Sequence, residues 1–220
     1  MRRTLLLAAP LGLLVPIAYG AAFVRFGHPI EVGPFFAGAA GWFVALLLRA
    51  PVGLAGIRIT GSVERTQTWV TASSGPLEES VRLAVLLLVG GELSTALWIG
   101  LGWAAIEVLY AIVNGFALAT LAERTDPEAE QAKALLPPSA FSATGPLWGV
   151  VERAWASGVH VGFTLILAAV PLAVLITAPL HTLTNVAFLG LMRTRNMAVV
   201  AAAGALFAAA LLAIGLFLHR

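Results

Sequence analysis

The chain has 220 residues, of which 60% are hydrophobic and 11% charged, and its formal net charge at pH 7 is +2. In a soluble domain roughly a quarter of the residues are charged, so this chain lacks the charges that a water-facing surface needs. The few basic residues form no patch with interleaved aromatics, which argues against nucleic acid as a partner. The absence of cysteine excludes disulfides, cysteine-based zinc sites and a thiol nucleophile. The composition predicts an all-α integral membrane protein with lipid around its lateral surface.

Apolar runs of about 20 residues are typical of membrane-spanning helices, and this sequence predicts about seven of them. In chain order the predicted spans are 4–24, 34–48, 76–89, 93–121, 147–167, a segment from the turn near Pro171 to residue 191, and 197–218. A semi-polar stretch at 49–75 and a polar loop at 122–145 separate them. We expect a single membrane domain over residues 1–220, with a catalytic bundle at 75–192 and accessory spans within 1–50 and 197–219.

The basic residues outside the predicted spans indicate an orientation. With the N-terminus in the cytoplasm, the cytoplasmic segments contain Arg2, Arg3, Arg49, Arg58, Arg65, Arg124, Lys133, Arg193 and Arg195, and the opposite side contains only Arg25 and Arg220. Lys and Arg accumulate in cytoplasmic segments, so we expect a cytoplasmic N-terminus and a C-terminus on the opposite side. The start of the chain also fits a signal peptide, but the rest is itself apolar, which favours an uncleaved first span.

Ionisable residues occur within four consecutive predicted spans. Each costs at least roughly 2.5–3.5 kcal/mol at the centre of a bilayer, so such residues face the bundle interior and are functional candidates by default. They are Glu78, Glu79 and Arg82 in span three, Glu107 in span four, Glu152, Arg153 and His160 in span five, and His181, with the amide Asn185, in span six. Spans one, two and seven have none at depth. We therefore predict one polar chamber lined by spans three to six.

Ordinary structural roles account for parts of this pattern. Glu78 and Glu79 fall in the first turn of the predicted third helix, where carboxylates are favoured by the helix dipole. Glu152 and Arg153 fit an ion pair at the membrane interface, and a single membrane histidine commonly hydrogen-bonds a neighbouring helix. Glu107 has no such explanation, because it lies in the middle of its span.

Carboxylate and imidazole groups together can activate a water molecule for hydrolysis. Glu78 or Glu79 with His160 would remove a proton from water, while His181 and Asn185 would donate hydrogen bonds to the oxyanion. Alternatively, Glu79, His160 and His181 would hold a zinc ion with a bound water. The H-E-x-x-H pattern of zinc peptidases and the G-x-S-x-G pattern of serine hydrolases are both absent. A site without metal is therefore the stronger prediction.

The order of these segments resembles the YhfC family of membrane peptidases, which is related to the CAAX-prenyl-protease/bacteriocin-processing and PrsW-type glutamic intramembrane proteases. The segments are Glu78-Glu79-Ser80-Val81-Arg82, Gly102-Trp103-Ala104-Ala105-Ile106-Glu107, Glu152-Arg153 with His160, and His181 with Asn185. The resemblance implies an intramembrane protease that cleaves membrane-associated proteins or peptides. In it, a glutamate of the Glu78-Glu79 pair and His160 activate water, His181 and Asn185 hold the oxyanion, and Arg82 orients the carboxylates.

The chain departs from these relatives at two positions. The prenyl proteases have E-E-x3-R in the first motif, and this chain has one residue fewer, which favours the YhfC or PrsW side. Trp103 stands where the YhfC pattern has a histidine near the glycine of the second motif. Two other functions therefore stay open. One is a proton-coupled transporter, since buried Glu, Arg and His also form proton relays, and the other is a non-enzymatic membrane scaffold derived from a protease.

Overall fold

The computed structural model describes residues 2–136, 145–194 and 196–220, and this part of the chain forms eight α-helices and no strand. The helices are α1 (Arg2–Arg25), α2 (Val32–Thr60), α3 (Val63–Val89), α4 (Leu93–Glu123), α5 (Pro127–Ala134), α6 (Gly145–Ala169), α7 (Val174–Thr194) and α8 (Met197–Leu218). A 3₁₀ turn at Pro171–Ala173 joins α6 to α7, at the position where the sequence predicts a turn. The all-α class is confirmed.

Among the described residues, five helical segments are long and apolar enough to cross a membrane. They are α1, α2, α4, the segment Pro171–Phe188 and α8. Many of their Leu, Ile, Val and Phe side chains are exposed on the outside of the bundle, where lipid is the compatible solvent. The chain is therefore a multi-pass membrane protein. The remaining two long helices, α3 and α6, differ because ionisable residues interrupt their apolar sequence.

The stretch at 49–75, predicted to separate two spans, is helical apart from a two-residue turn. Helix α2 continues to Thr60 and ends at Gly61, which adopts the left-handed conformation (φ 60°) common after helix ends. Ser62 then caps α3, because its side-chain oxygen accepts a hydrogen bond from the backbone N–H of Arg65. Glu78 and Glu79 consequently lie near the middle of a continuous helix. Their interpretation as first-turn carboxylates is wrong.

The polar loop at 122–145 contains the short helix α5. Asp126 caps this helix by accepting a hydrogen bond from the backbone N–H of Ala129, at 3.1 Å. Hydrogen bonds from the Arg124 guanidinium and from this backbone N–H lower the pKa of Asp126 to about 2. Residues 137–144 of the predicted loop lie outside the described residues, as do Arg195 and the side chain of Arg193, which the orientation argument used.

The long helices form a sequence of neighbours in which α7 packs on α3, α3 on α2, α2 on α4, α4 on α6 and α6 on α8. Helix α1 covers the seam between α4 and α6. Glycines bring some of these backbones into direct contact: a Cβ atom on Gly75 would lie 2.1 Å from the carbonyl oxygen of Ala178, and one on Gly102 would lie 1.8 Å from that of Phe35. Every residue of α6 from 156 to 165 is buried. His160 is therefore placed in the bundle centre.

Candidate functional site

Ionisable side chains from α2, α3, α4, α6 and α7 meet inside the bundle. Glu79 and Arg82 are completely buried, and Glu78, His160 and His181 are between 3% and 5% exposed. Removing such groups from water costs several kcal/mol per ion unless each has a partner. The pairing of these side chains therefore determines which of them are available for chemistry.

Glu79 connects α3 to His181 on α7. Its Oε1 atom lies 2.6 Å from Nδ1 of His181, and its Oε2 atom accepts a hydrogen bond from Nε of Arg82 at 3.1 Å. A carboxylate only accepts hydrogen bonds, so Nδ1 of His181 is the donor. In the neutral imidazole this leaves Nε2 with a free lone pair. The ring is further held by stacking on Phe163, with centroids 5.4 Å apart.

Arg82 connects α3 to α6. Its Nη1 atom donates to the side-chain oxygen of Thr164 at 2.8 Å and to the backbone oxygen of His160 at 3.2 Å, while Nη2 lies 3.1 Å from Nδ1 of His160. A guanidinium only donates hydrogen bonds, so Nδ1 of His160 is the acceptor. The guanidinium also lies 4.2 Å from the ring centre of Trp103, a cation–π geometry. Arg82 thus fixes both the helix spacing and the tautomer of His160.

Glu107 connects His160 to a second group of charges. Its Oε2 atom contacts Nε2 of His160, and its Oε1 atom lies 2.7 Å from Nη1 of Arg153. Nη2 of Arg153 in turn lies 2.8 Å from Oε1 of Glu152. Both nitrogens of His160 therefore have partners, Arg82 on one side and Glu107 on the other. The predicted supporting residues therefore belong to the same network as Glu79, His160 and His181.

Glu78 is the carboxylate with an acceptor atom directed at a free histidine nitrogen. Its Oε1 atom pairs with Arg49, and its Oε2 atom accepts a hydrogen bond from Nε1 of Trp103 at 3.3 Å. The same Oε2 atom lies 3.7 Å from Nε2 of His181. Two acceptors separated by this distance form no hydrogen bond with each other, so a proton or a water molecule is needed between them.

Sequence reasoning missed Arg49 and misjudged Trp103. The predicted span two ends at residue 48 and leaves Arg49 in the semi-polar stretch, whereas in the structure Arg49 lies within α2 and pairs with Glu78. The available signal was the apolar sequence that resumes after it, through Val52, Leu54 and Ile57. Trp103 was treated only as a departure from a family pattern. Its indole N–H, directed at Glu78, makes it part of the site.

Comparison with known protein families, with curated proteins and with solved structures finds no match. The resemblance to the YhfC family therefore stays a prediction that depends on the order of the residues.

Asn185 lies one turn beyond His181 on α7 and contacts a different part of α3. Its side-chain amide donates to the hydroxyl oxygen of Ser74 at 3.1 Å, and the residue is exposed. Thr182 on the same face accepts a hydrogen bond from the backbone N–H of Gly75 and donates to the carbonyl oxygen of Ala72. These contacts fix α7 to α3. They place Asn185 in helix packing rather than beside the Glu/His cluster.

Three of the buried acid and imidazole side chains lie close enough together to hold a metal ion. They are Glu78, His160 and His181, whose ligand atoms lie within 4.8 Å of one another, whereas both oxygens of Glu79, which the predicted set contains, have partners. Zinc binds an imidazole nitrogen through its free lone pair, and both nitrogens of His160 already have other partners. A metal ion held by this set would therefore have to displace Arg82 or Glu107 from His160.

Proposed function

We propose that the protein hydrolyses peptide bonds of membrane-associated proteins or peptides, with a water molecule activated by Glu78 and His181. The observation that supports this most directly is the buried pair of facing acceptors, Oε2 of Glu78 and Nε2 of His181. We place α3 and α6 across the membrane with the five apolar segments, which makes seven spans. Their ionisable residues are paired inside the bundle, so they need not face lipid.

A water molecule between the two acceptors would donate one hydrogen to each. Its oxygen lone pairs would then be free to attack the carbonyl carbon of a peptide bond. Two hydrogen bonds of about 2.8 Å at the angle of water need acceptors about 4.5 Å apart, so the two side chains separate slightly when water enters. Glu78 takes the proton from water as the C–O bond forms. It returns that proton to the amine nitrogen as the C–N bond breaks, which gives a carboxylic acid and an amine.

The neighbouring residues hold these groups and balance their charge. Glu79 keeps the proton of His181 on Nδ1, so that Nε2 stays an acceptor. Arg49 has a buried Nε–H without a hydrogen-bond partner among the described residues. An unpaired buried donor is costly in a folded protein. A developing oxyanion beside Glu78 would satisfy this donor, so we assign to Arg49 the hydrogen-bond donation to the oxyanion that was predicted for Asn185.

Substitution of the two glutamates tests the proposal. Glu78→Gln removes the base and should lower kcat for fluorogenic transmembrane peptides in proteoliposomes by about 10²–10⁴-fold. Glu79→Gln keeps the carbonyl acceptor but weakens the control of the His181 tautomer, so we expect a smaller loss. Glu128→Gln, in a side chain that is 93% exposed on α5, is the matched control. Cleavage that persists in a folded Glu78→Gln protein would contradict the proposal.

A proton-coupled transporter is the second candidate, because ionisable side chains follow one another from Arg49 to Glu152 with one gap of 3.7 Å, between Glu78 and His181. Arg82 lies between Glu79 and His160 in this network, and a guanidinium does not release its proton in proteins. A relay would have to pass directly between the two imidazoles, whose ring centres are 5.7 Å apart. Transport predicts that Glu107→Gln abolishes substrate-dependent pH changes inside proteoliposomes. Hydrolysis predicts no such pH signal in the wild-type protein.

A further inference from the structure

A cavity of about 410 Å³ lies between α1, α4 and α6, and its lining includes Glu107 but neither Glu78 nor His160. Its volume is within the range of about 300–1,000 Å³ that is usual for ligand sites. Glu107 forms part of its wall and also contacts Nε2 of His160. A molecule in this cavity would therefore lie one side chain away from the Glu/His cluster.

The cavity extends from the middle of the bundle towards the end that contains the N-terminus. Its lining on α1 comes from residues 5–12, in the first half of that helix. On α4 it comes from residues 107–118, in the second half, and on α6 from residues 145–153, at the start. Consecutive crossing helices run in opposite directions, so these three segments belong to the same half of the membrane. The cavity is accessible from that half.

The polar end of the cavity has an excess of negative charge. Glu107 and Glu152 both pair with the single guanidinium of Arg153, which leaves one net negative charge. Their side chains remain 24% and 33% exposed, respectively. The other walls are mainly apolar and contain many small residues, which leave room along them: Ala8, Ala9, Gly12, Ala111, Gly115 and Gly149. A narrow apolar channel with an acidic end complements an extended apolar chain that contains one basic group.

We infer that this cavity binds the substrate segment next to the scissile bond, and that it selects an extended apolar peptide with a lysine or arginine. The identity of the ligand as a peptide depends on the proposed hydrolysis. A basic side chain would pair with Glu107 and Glu152, and the peptide would continue past His160 so that the adjoining peptide bond reaches the water between Glu78 and His181.

The chain has no cysteine, so single cysteines can report on the cavity. Ala111→Cys and Gly149→Cys place a thiol on its wall, and a Cβ atom on Gly149 meets nothing within 4 Å. Val113→Cys, at a 60% exposed position of α4 outside the cavity lining, is the matched control. We expect a cationic methanethiosulfonate reagent to label the cavity thiols about tenfold faster than an anionic one. Glu152→Gln should reduce this ratio several-fold. Val113 faces lipid, so its thiol should stay unlabelled by both reagents, and Glu128→Cys, at a 93% exposed position on α5 outside the cavity lining, should be labelled without this preference.

Protection by peptides tests the ligand. A blocked Ala/Leu peptide with one central lysine should slow the labelling of Gly149→Cys several-fold, while the same peptide with a central glutamate should not. Equal rates for the two reagents, or equal protection by the two peptides, would overturn the inference. These readouts need no catalysis. If Glu78→Gln retained cleavage but the lysine peptide still protected, the proposed chemistry would fail and the binding site would stand.

Discussion

At the residue scale, the site depends on the pairing of buried and partly buried charges. Four carboxylates, three guanidinium groups and two imidazoles form the network: Glu78, Glu79, Glu107, Glu152, Arg49, Arg82, Arg153, His160 and His181. With both imidazoles neutral, as their contacts with Arg82 and Glu79 assign them, the network has one net negative charge. Each charged group has a neighbour of opposite charge, which offsets the cost of burial. This arrangement leaves few acceptors free, and those of Glu78 and His181 face each other.

Trp103 contacts the first and the last residue of the Glu78–Arg82 motif on α3, because its N–H donates to Glu78 and its ring lies beside Arg82. Trp103→Phe keeps an aromatic ring but removes the donor. We expect the free energy of unfolding to fall by about 1–3 kcal/mol and the rate of peptide cleavage to fall with it, as Glu78 loses one of its fixed contacts. Unfolding in mixed micelles and cleavage in proteoliposomes measure the two effects. Trp69→Phe, at a 44% exposed position on α3, is the control. Identical behaviour of the two variants would show that the N–H has no role.

At the element scale, the apolar helices were the predictable part of the fold. Continuous apolar sequence placed α1, α4 and α8 within a few residues of their ends, since length and hydropathy alone determine such spans. The first half of α3 was missed because its composition is that of a loop, with Glu64, Arg65 and Gln67 close together. Its helicity is supported by packing against α2, a tertiary interaction that composition does not reveal. The capping signal of Gly61-Ser62 was present and marks the true boundary.

Gly75 sets the distance between α3 and α7, and therefore between Glu79 and His181. In Gly75→Ala the added methyl would collide with the carbonyl oxygen of Ala178, so α7 must move outwards. We expect a loss of about 1–3 kcal/mol in the free energy of unfolding, as for other overpacked cores, together with a loss of cleavage. Gly33→Ala in α2, where a Cβ atom meets nothing within 4 Å, is the matched helical control. The free energy of unfolding and the cleavage rate are measured for both variants. Equal values for Gly75→Ala and Gly33→Ala would refute the close contact between α3 and α7.

At the scale of the whole molecule, the sequence predicted that polar groups share one interior region but did not predict how they pair. The order of Glu, Arg and His on successive helices was enough to expect a shared chamber. Whether Arg82 would contact Glu78 or Glu79 depended on the rotation of α3 against α6, because both spacings permit an ion pair on one helix. Asn185 shares a helix face with His181 but extends one turn further, where it meets Ser74. Such differences of one turn arise from the crossing of helices and are not encoded by spacing.

The number of spans is the property of the whole molecule that a topology experiment decides. Seven crossings place position 64, after α2, and position 128, after α4, on the side of the N-terminus, and positions 30 and 92 on the other. If α3 and α6 did not cross, positions 92 and 128 would exchange sides. Arg49 no longer counts towards the orientation, because it pairs with Glu78, but Arg2, Arg3, Arg58, Arg65, Arg124 and Lys133 still favour a cytoplasmic N-terminus.

Single cysteines at Ile30, Glu64, Glu92 and Glu128, all exposed positions, measure this arrangement in intact cells and in inverted membrane vesicles. We expect an impermeant thiol reagent to label positions 30 and 92 only in cells, and positions 64 and 128 only in inverted vesicles. The cysteine-free parent is the control for background labelling. Labelling of position 128 from outside the cell would show that α3 does not cross the membrane. The paired acids of that helix would then lie outside the bilayer, and hydrolysis inside the membrane would be refuted with them.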